Sequence, residues 1–551
     1  MSLIDRISGW FRERLGMEDL PFFRTPDYMY HVGYWLGSLV AAAFAYEVVS
    51  GLMLLLYYYP ESPYDQTLYI MDKVPYGSVL LFSHLYGAYI MIFLVYVHMF
   101  RNYFVGAYKR PREILWILGV ILLALTLGAS FVGYSLIGDV LGVDALGVGK
   151  GLVGALPGGN VLVSLFFGNG TTQDLFTRLL AWHIILVALI GFFFAIHFFL
   201  AEHYGIMPSL KVRPKVPAIY TKEEWSKFNP WWPRNFVYMM SLVLMTWGII
   251  LVIPDLLANI NGLPLVLNPH PAPSPTSPAA STVPPYPPWF FLFFYKLVDF
   301  LLPNGSSLTL LQDDAIAMIV LAYLVLLPFL DRSTDLNPLS RGRKVFTWIG
   351  VMFVVYLVQL SVWGFMAPGV PEPFPVQVMV LLPPAVVSAL GVWTMKPEGV
   401  KPSSSRVRSD ERKGISMRSV VPLWALAVSA AAVTLAGTVG DFLSSPTILG
   451  AVLTVGLLAF LSLAFRRSGS APAPAGGDEK VVGRAAWKLN LAEGLMAVLF
   501  SLSVVLAFQM WTIPPIGPAS TYFGIDLGLI FLMLGEGLSL YHYVVYGGGP
   551  S

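Results

Sequence analysis

Four histidines, set at equal intervals in two apolar stretches, constrain this chain more than any other feature. Residues 79–103 hold His84 and His98, residues 178–204 hold His183 and His197, and the members of each pair are 14 residues apart. Fourteen residues of α-helix rise about 21 Å, which fits inside a hydrocarbon layer of about 30 Å. Fourteen is also two heptads, so in a left-handed bundle both histidines of one helix stay on one face. Two such helices placed side by side set His84 opposite His183 near one surface and His98 opposite His197 near the other. Each facing pair then offers both axial nitrogens to one haem iron. A single membrane histidine commonly bonds a neighbouring helix or joins a proton path. Four in two matched pairs are better explained by two haems.

The rest of the composition agrees with a membrane setting. Of 551 residues, 56% are hydrophobic and 12% charged, where a soluble domain carries about 25% charge. The chain therefore reads as an all-α polytopic membrane protein. It has no cysteine, which excludes disulfides, thiolate-held iron–sulfur or zinc sites, and haem attached through cysteine. The net charge of +2 says little about partners, and no nucleic acid is expected among them.

Hydropathy marks a first block of eight spans, near 31–58, 79–103, 114–136, 178–204, 235–254, 313–331, 345–366 and 376–395. Four additional C-terminal spans lie near 418–437, 446–465, 488–510 and 525–546, with a Gly/Ala/Pro linker at 468–478. The expected organisation is an amphipathic surface segment at 1–30, then a histidine-bearing four-helix domain at 31–234. A second membrane domain follows at 235–395, a polar linker at 396–417, and the added helices at 418–551. Loops after even-numbered spans are basic: Arg101, Lys109, Arg110 and Arg112; Lys211, Arg213, Lys215, Lys222 and Lys227; Arg332, Arg341, Arg343 and Lys344. The loop after the first span carries Glu61, Asp65 and Asp72 against Lys73. By the positive-inside rule both termini face the cytoplasm. Spans two and four then run in the same direction, as the histidine pairing requires.

Glycine repeats the interval. Gly37 and Gly51 in the first span, and Gly119 and Gly133 in the third, are also 14 apart. Glycine inside a helix costs about 1 kcal/mol relative to alanine. Ordinary small-residue packing is one explanation; clearance for two flat porphyrins at the histidine depths is the one favoured here. Arg101 and Arg178, at the ends of the histidine helices, are placed to meet haem propionates on their own sides.

With these residues in view, residues 20–395 resemble cytochrome b, the membrane core of bc-type quinol:cytochrome c oxidoreductases. The likeness rests on the histidine and glycine pairs, Arg101 within HMFRNYFVGAY, Arg178 within FTRLLAWH, and Gly133-Tyr134 opening the outer loop. It implies an eight-helix core and two haems, one of low and one of high potential. Bis-histidine ligation leaves type b and type a both open, with type b the family norm. It also implies an outer quinol-oxidising site, an inner quinone-reducing site, a Rieske iron–sulfur partner and a homodimer. The absence of cysteine and the added helices look like archaeal respiratory homologues, which suggests a prokaryotic plasma membrane and contact with a terminal oxidase or other respiratory subunits.

Some positions depart from the family pattern. Where relatives carry Pro-Glu-Trp-Tyr, this chain reads Pro287-Pro288-Trp289-Phe290, so the motif carboxylate and phenol are both missing. Asp139, Asp299 or a water chain is left to accept the quinol proton. Leu81 stands where relatives often have an arginine, which leaves Arg178 alone at the outer haem. Glu202 and His203 follow His197 as candidates for the inner quinone site, one residue out of the usual phase, with Asn235 a weaker candidate. His31, His270 and His542 have no partner at a matching interval and read as interfacial or loop residues. Glu536 is the one buried-looking carboxylate expected in the final spans.

Three functions compete at this stage. The leading one is a quinol-oxidising redox subunit that splits electrons between a Rieske partner and two haems. A transporter relaying protons through its histidines is the second. The third keeps the haems but, without the motif glutamate, merely conducts electrons towards an attached oxidase.

Overall fold

The structure, a computed structural model, describes residues 24–168, 170–397 and 479–546. The expected spans at 418–437 and 446–465, the linker and most of the N-terminal segment lie outside the described residues. Among the described residues there are fifteen α-helices and no strands beyond isolated bridges. Ten helices are long and apolar enough to cross a membrane. We number them α1 Leu36–Leu55, α2 Pro63–Lys73, α3 Gly77–Val105, α4 Glu113–Ser135, α5 Val140–Ala155, α6 Gly159–Phe167, α7 Thr172–Tyr204 and α8 Lys222–Ser226. The remainder are α9 Phe236–Leu257, α10 Leu292–Val298, α11 Leu310–Leu330, α12 Lys344–Met366, α13 Phe374–Thr394, α14 Glu479–Met510 and α15 Thr521–Tyr546.

All eight spans expected in the first block are present, as are the last two of the C-terminal group. The short helices α2, α5, α6, α8 and α10 were not anticipated. They lie in connections whose glycine and proline content obscures any helical period, and α5 and α6 form a hairpin over the loop that Gly133-Tyr134 opens.

Helix ends set the depth of the histidines. Tyr76 precedes α3 in a left-handed conformation (φ 55°), and Gly106 closes it with φ 73°. The Thr171 side chain accepts a hydrogen bond from Asp174 N and so starts α7. Within the bundle α1 lies along α3 and α4 along α7, with α3 also touching α4. The histidine helices thus belong to two separate pairs that face each other across the bundle.

The remaining helices brace this arrangement. Helix α9 packs on α1 and α3, α15 lies along α9, and α14 covers α15. Close approach explains the α9–α15 seam: a Cβ on Gly248 would stand 2.7 Å from Gly528 O, the small-residue packing that brings membrane helices together. Glu536 is buried in α15, as expected, but it is not the one such carboxylate: Asp526, ten residues earlier in the same helix, is buried too. His542, near the end of α15, is buried too, its ring among those of Tyr30, Tyr238 and Tyr546.

A buried ionic centre fastens the connections at the His98 end. Lys109 Nζ lies 2.6 Å from Asp331 Oδ1, Arg343 Nε 3.2 Å from Asp331 Oδ2, and the Tyr108 hydroxyl donates to Asp331 Oδ2 at 2.5 Å. Burial alone would raise the Asp331 carboxyl, but hydrogen bonds from Lys109, Tyr108 and Ser333 outweigh it and hold the group below its ordinary range. Lys109 and Arg343, counted in the sequence as loop charges, are therefore interior residues.

Candidate cofactor site

The bundle brings the histidines together as their intervals require. The rings of His84 and His183 have centres 6.4 Å apart and planes at 81°. An imidazole nitrogen binds a metal at about 2.0 Å and lies about 1 Å from its own ring centre, so two rings on one iron have centres about 6 Å apart. The observed separation matches that requirement.

Hydrogen bonds fix which nitrogens are available in this layer. His183 Nδ1 lies 3.0 Å from Ala129 O, and an Nδ1–H there donates to the carbonyl. His84 Nδ1 lies 2.9 Å from Ser50 Oγ and 3.2 Å from Glu47 Oε2. With both Nδ1 atoms engaged, each Nε2 is the nitrogen left for a metal, and a partner on the far nitrogen is how ligating histidines are usually oriented.

The second layer is less settled. His98 Nδ1 is buried without a hydrogen-bond partner, a cost of about 1–3 kcal/mol for such a group, while His197 Nδ1 faces only the backbone of Leu115. His98 Nε2 instead lies 3.0 Å from Asn102 Nδ2, and Asn102 Oδ1 accepts from Arg101 Nη1 at 2.9 Å. Both Nδ1 atoms lie on the side of the neighbouring helix's glycine, 3.8 Å (His98) and 3.9 Å (His197) from a Cβ placed at Gly37 and Gly119, so it is Nε2 that would take a metal in this layer too.

Each glycine of the matched pairs backs one histidine ring. A Cβ on Gly51 would stand 3.1 Å from His84 Cε1, and one on Gly133 only 2.8 Å from His183 Cε1. At the other depth the corresponding distances are 3.3 Å from Gly37 to His98 and 3.4 Å from Gly119 to His197. Each of the four glycines thus makes room for an imidazole at its own depth, which ties the glycine interval to the histidine interval.

The arginines differ from each other. Arg178 pairs with Asp174 in its own helix at 3.1 Å and also donates to Leu165 O. Arg101 has no carboxylate partner among the described residues; its guanidinium lies 5.1 Å from the centre of the Tyr34 ring. Of the two, Arg101 is the charge better placed to take a propionate.

At the His84 end, Trp289 and Phe290 pack on Tyr89 of α3, with ring centres 6.5 and 5.8 Å away. Pro287 leads into this turn, which continues into α10. A cavity of about 20 Å³ lies between Tyr89, Tyr134, Asp139, Leu265 and His270. That is room for about one water, against roughly 300 Å³ or more for an organic ligand.

Asp139 has a constructional part here. Its Oδ1 accepts from Gly142 N at 2.8 Å and caps α5, while its Oδ2 accepts from Ala272 N at 2.8 Å and ties down the proline-rich loop. Burial raises its carboxyl, partly offset by those two bonds. Asp299 lies elsewhere, in a cluster around the fully buried Lys296, which is 3.4 Å from Asp299 Oδ2 and 2.7 Å from Glu372 Oε1. Asp139 touches the small cavity and Asp299 does not.

His203 is exposed at the end of α7, against the ring of Tyr204, and Glu202 gives its backbone carbonyl to Gly205 N. Asn235 is buried and bonded to Tyr30 and Thr25. Sequence reasoning missed Glu47, Ser50 and Asn102, which touch histidine nitrogens. It also missed the place of Arg112, whose guanidinium holds the end of α7 through Tyr204 O (3.0 Å) and Gly205 O (3.2 Å). A polar residue within an apolar span was the available signal for Glu47, one turn before Gly51.

Fold and site together define a class: multi-pass helical membrane proteins with two histidine layers held between two helix pairs. Known proteins agree. A family model described as cytochrome b (N-terminal)/b6/petB matches residues 89–275. The chain is 50% identical to a cytochrome b of Sulfolobus acidocaldarius over 97% of both sequences. A cytochrome bc complex cytochrome b subunit of Chlorobaculum thiosulfatiphilum is 28% identical, over 64% of this chain and 79% of that one. Among solved structures, a chain of a hyperthermophilic respiratory Complex III shares the fold with a TM-score of 0.53, covering 70% of this chain and 97% of its own at 23% identity. The chain belongs to the cytochrome b family.

Proposed function

We propose that this chain is the two-haem membrane subunit of a bc-type respiratory complex. It oxidises quinol near the outer face, gives one electron to a Rieske-type iron–sulfur partner, and passes the other inward to a quinone site. The observation that carries this reading is the His84–His183 pair, with ring centres 6.4 Å apart and each Nδ1 engaged from behind. His84 and His183 would hold the outer haem, His98 and His197 the inner one. When bound, two haems supply one-electron carriers at two depths of the layer.

The chain's own residues do the rest. Glycines at 37, 51, 119 and 133 let the imidazoles sit tight against the neighbouring helices. Arg101 offers a cation to a propionate, and the apolar helices keep water from the path. Carrying one charge across the whole membrane potential costs about 2.3 kcal/mol per 100 mV, so the outward-to-inward transfer contributes to proton-motive force. By the positive-inside rule the basic loops support a cytoplasmic position for both termini, and on that orientation the His84 layer is the outer one. The relative from Sulfolobus supports an archaeal plasma membrane, and the relative from a bc complex supports partner subunits; a homodimeric assembly is part of the proposal.

A second reading is favoured by one observation. Pro288 replaces the motif carboxylate, and the adjoining cavity admits only about one water. On that reading the chain conducts electrons to an attached oxidase without splitting them. Quinol turnover by the intact complex, measured with an inhibitor of the inner quinone site, separates the two. Splitting predicts that turnover collapses; turnover that continues unchanged contradicts it and favours the conduit.

A further inference from the structure

The inference rests on the two-haem reading and concerns what stands behind one of the four ligands. His84 is the ligand whose Nδ1 faces a carboxyl group: Glu47 Oε2 of α1 is 3.2 Å away. Ser50 Oγ, at 2.9 Å, is a second acceptor, because its own proton goes to Tyr46 O (2.8 Å) or Glu47 O (3.3 Å). The opposite ligand, His183, has only a backbone carbonyl there. His98 Nδ1 has no hydrogen-bond partner among the described residues, and His197 Nδ1 faces only the backbone of Leu115.

A carboxyl group within a membrane span is costly and calls for a reason. The chain has made space for this one. Gly87 lies three residues past His84 on α3, and a side-chain carbon there would overlap Glu47 Oε1. That oxygen is buried and has no hydrogen-bond partner, so the carboxyl group is held for what Oε2 does. An acceptor of this kind on the far nitrogen makes an imidazole a stronger donor to its metal. Stronger donation favours the oxidised iron and lowers the potential of the couple.

We propose that Glu47 is a positioning residue that acts through His84 to set the potential of the outer haem below that of the inner one. The effect falls on one ligand of one layer, so it biases electrons inward. The ferric–ferrous couple takes up one electron, and no bond is made or broken in the protein.

Redox titration of the intact complex, following each haem by its own absorption band, tests this. In Glu47→Gln the reduced form of the outer haem becomes about tenfold more favoured, an upward shift of about 59 mV for a one-electron couple, and the inner haem stays where it was. Gly87→Ala, which crowds the carboxyl group out of its slot, shifts the outer haem in the same direction, and Glu47→Asp restores most of the original value. If Glu47→Gln loses its outer haem, the Gly87→Ala shift decides. An outer potential unmoved in the haem-replete variants, or both haems moving equally, overturns the proposal. Fewer than two haem couples in the unsubstituted complex would instead refute the two-haem reading on which it stands.

Discussion

Gly133 has the least room of the four glycines that back the histidine rings. An added methyl there would stand 2.8 Å from a ring carbon of His183, closer than real side chains approach, and neither a helix backbone nor a packed ring yields cheaply. Overpacking of this kind costs about 1–3 kcal/mol. Gly133→Ala is expected to weaken haem retention at the His84–His183 layer about tenfold or more and leave the other layer intact. Haem loss followed spectroscopically during titration with an apo-haem acceptor checks this; equal loss from both layers would contradict it. The histidines and glycines were legible in the sequence because a repeat interval on a helix is a statement about depth. Glu47, Ser50 and Asn102 were not, because their value depends on which nitrogen of a neighbouring histidine they meet, and no spacing on one helix encodes a contact with another.

The connections between helices were harder to read than the helices. Apolar length alone located every described span. Lys109, Arg112 and Arg343, however, read as solvated loop charges when each is fastened inside. A charge count places a loop on one side of a membrane but does not say whether that charge is buried. Asp331 closes the clasp between the α3–α4 and α11–α12 connections, and its carboxyl is held below the ordinary range of about 3.9. A depressed carboxyl contributes stability that is present above the ordinary value and lost as pH falls through the lower, folded one. The complex should therefore tolerate mild acid and lose heat stability only well below pH 4. Asp331→Asn leaves Lys109 and Arg343 buried without their counter-charge, at a cost of about 3–5 kcal/mol. Its heat-inactivation rate should rise sharply at neutral pH and show little further dependence on acid. A rate that matches the parent's at neutral pH would show the clasp to be dispensable. Asp139 belongs to the same scale: offered by the sequence as a proton acceptor, it pins the proline-rich loop to the start of α5.

Across the whole molecule, a paired-helix core carries the histidine layers and the later helices brace it. Helix α15 is built into that brace through α9 and its glycines, so the last described span packs directly on the domain that begins at 235. The central claim remains that α3 and α7 face each other across the bundle with two haems between them at separate depths. Its most direct test is the reduced-minus-oxidised spectrum of the purified complex with haem extracted and counted, for the parent chain and for His84→Leu and His98→Leu. The account predicts two haems per chain in the parent and one in each variant, with a different spectral component lost from each. A parent without haem, or a variant that keeps both, would contradict it.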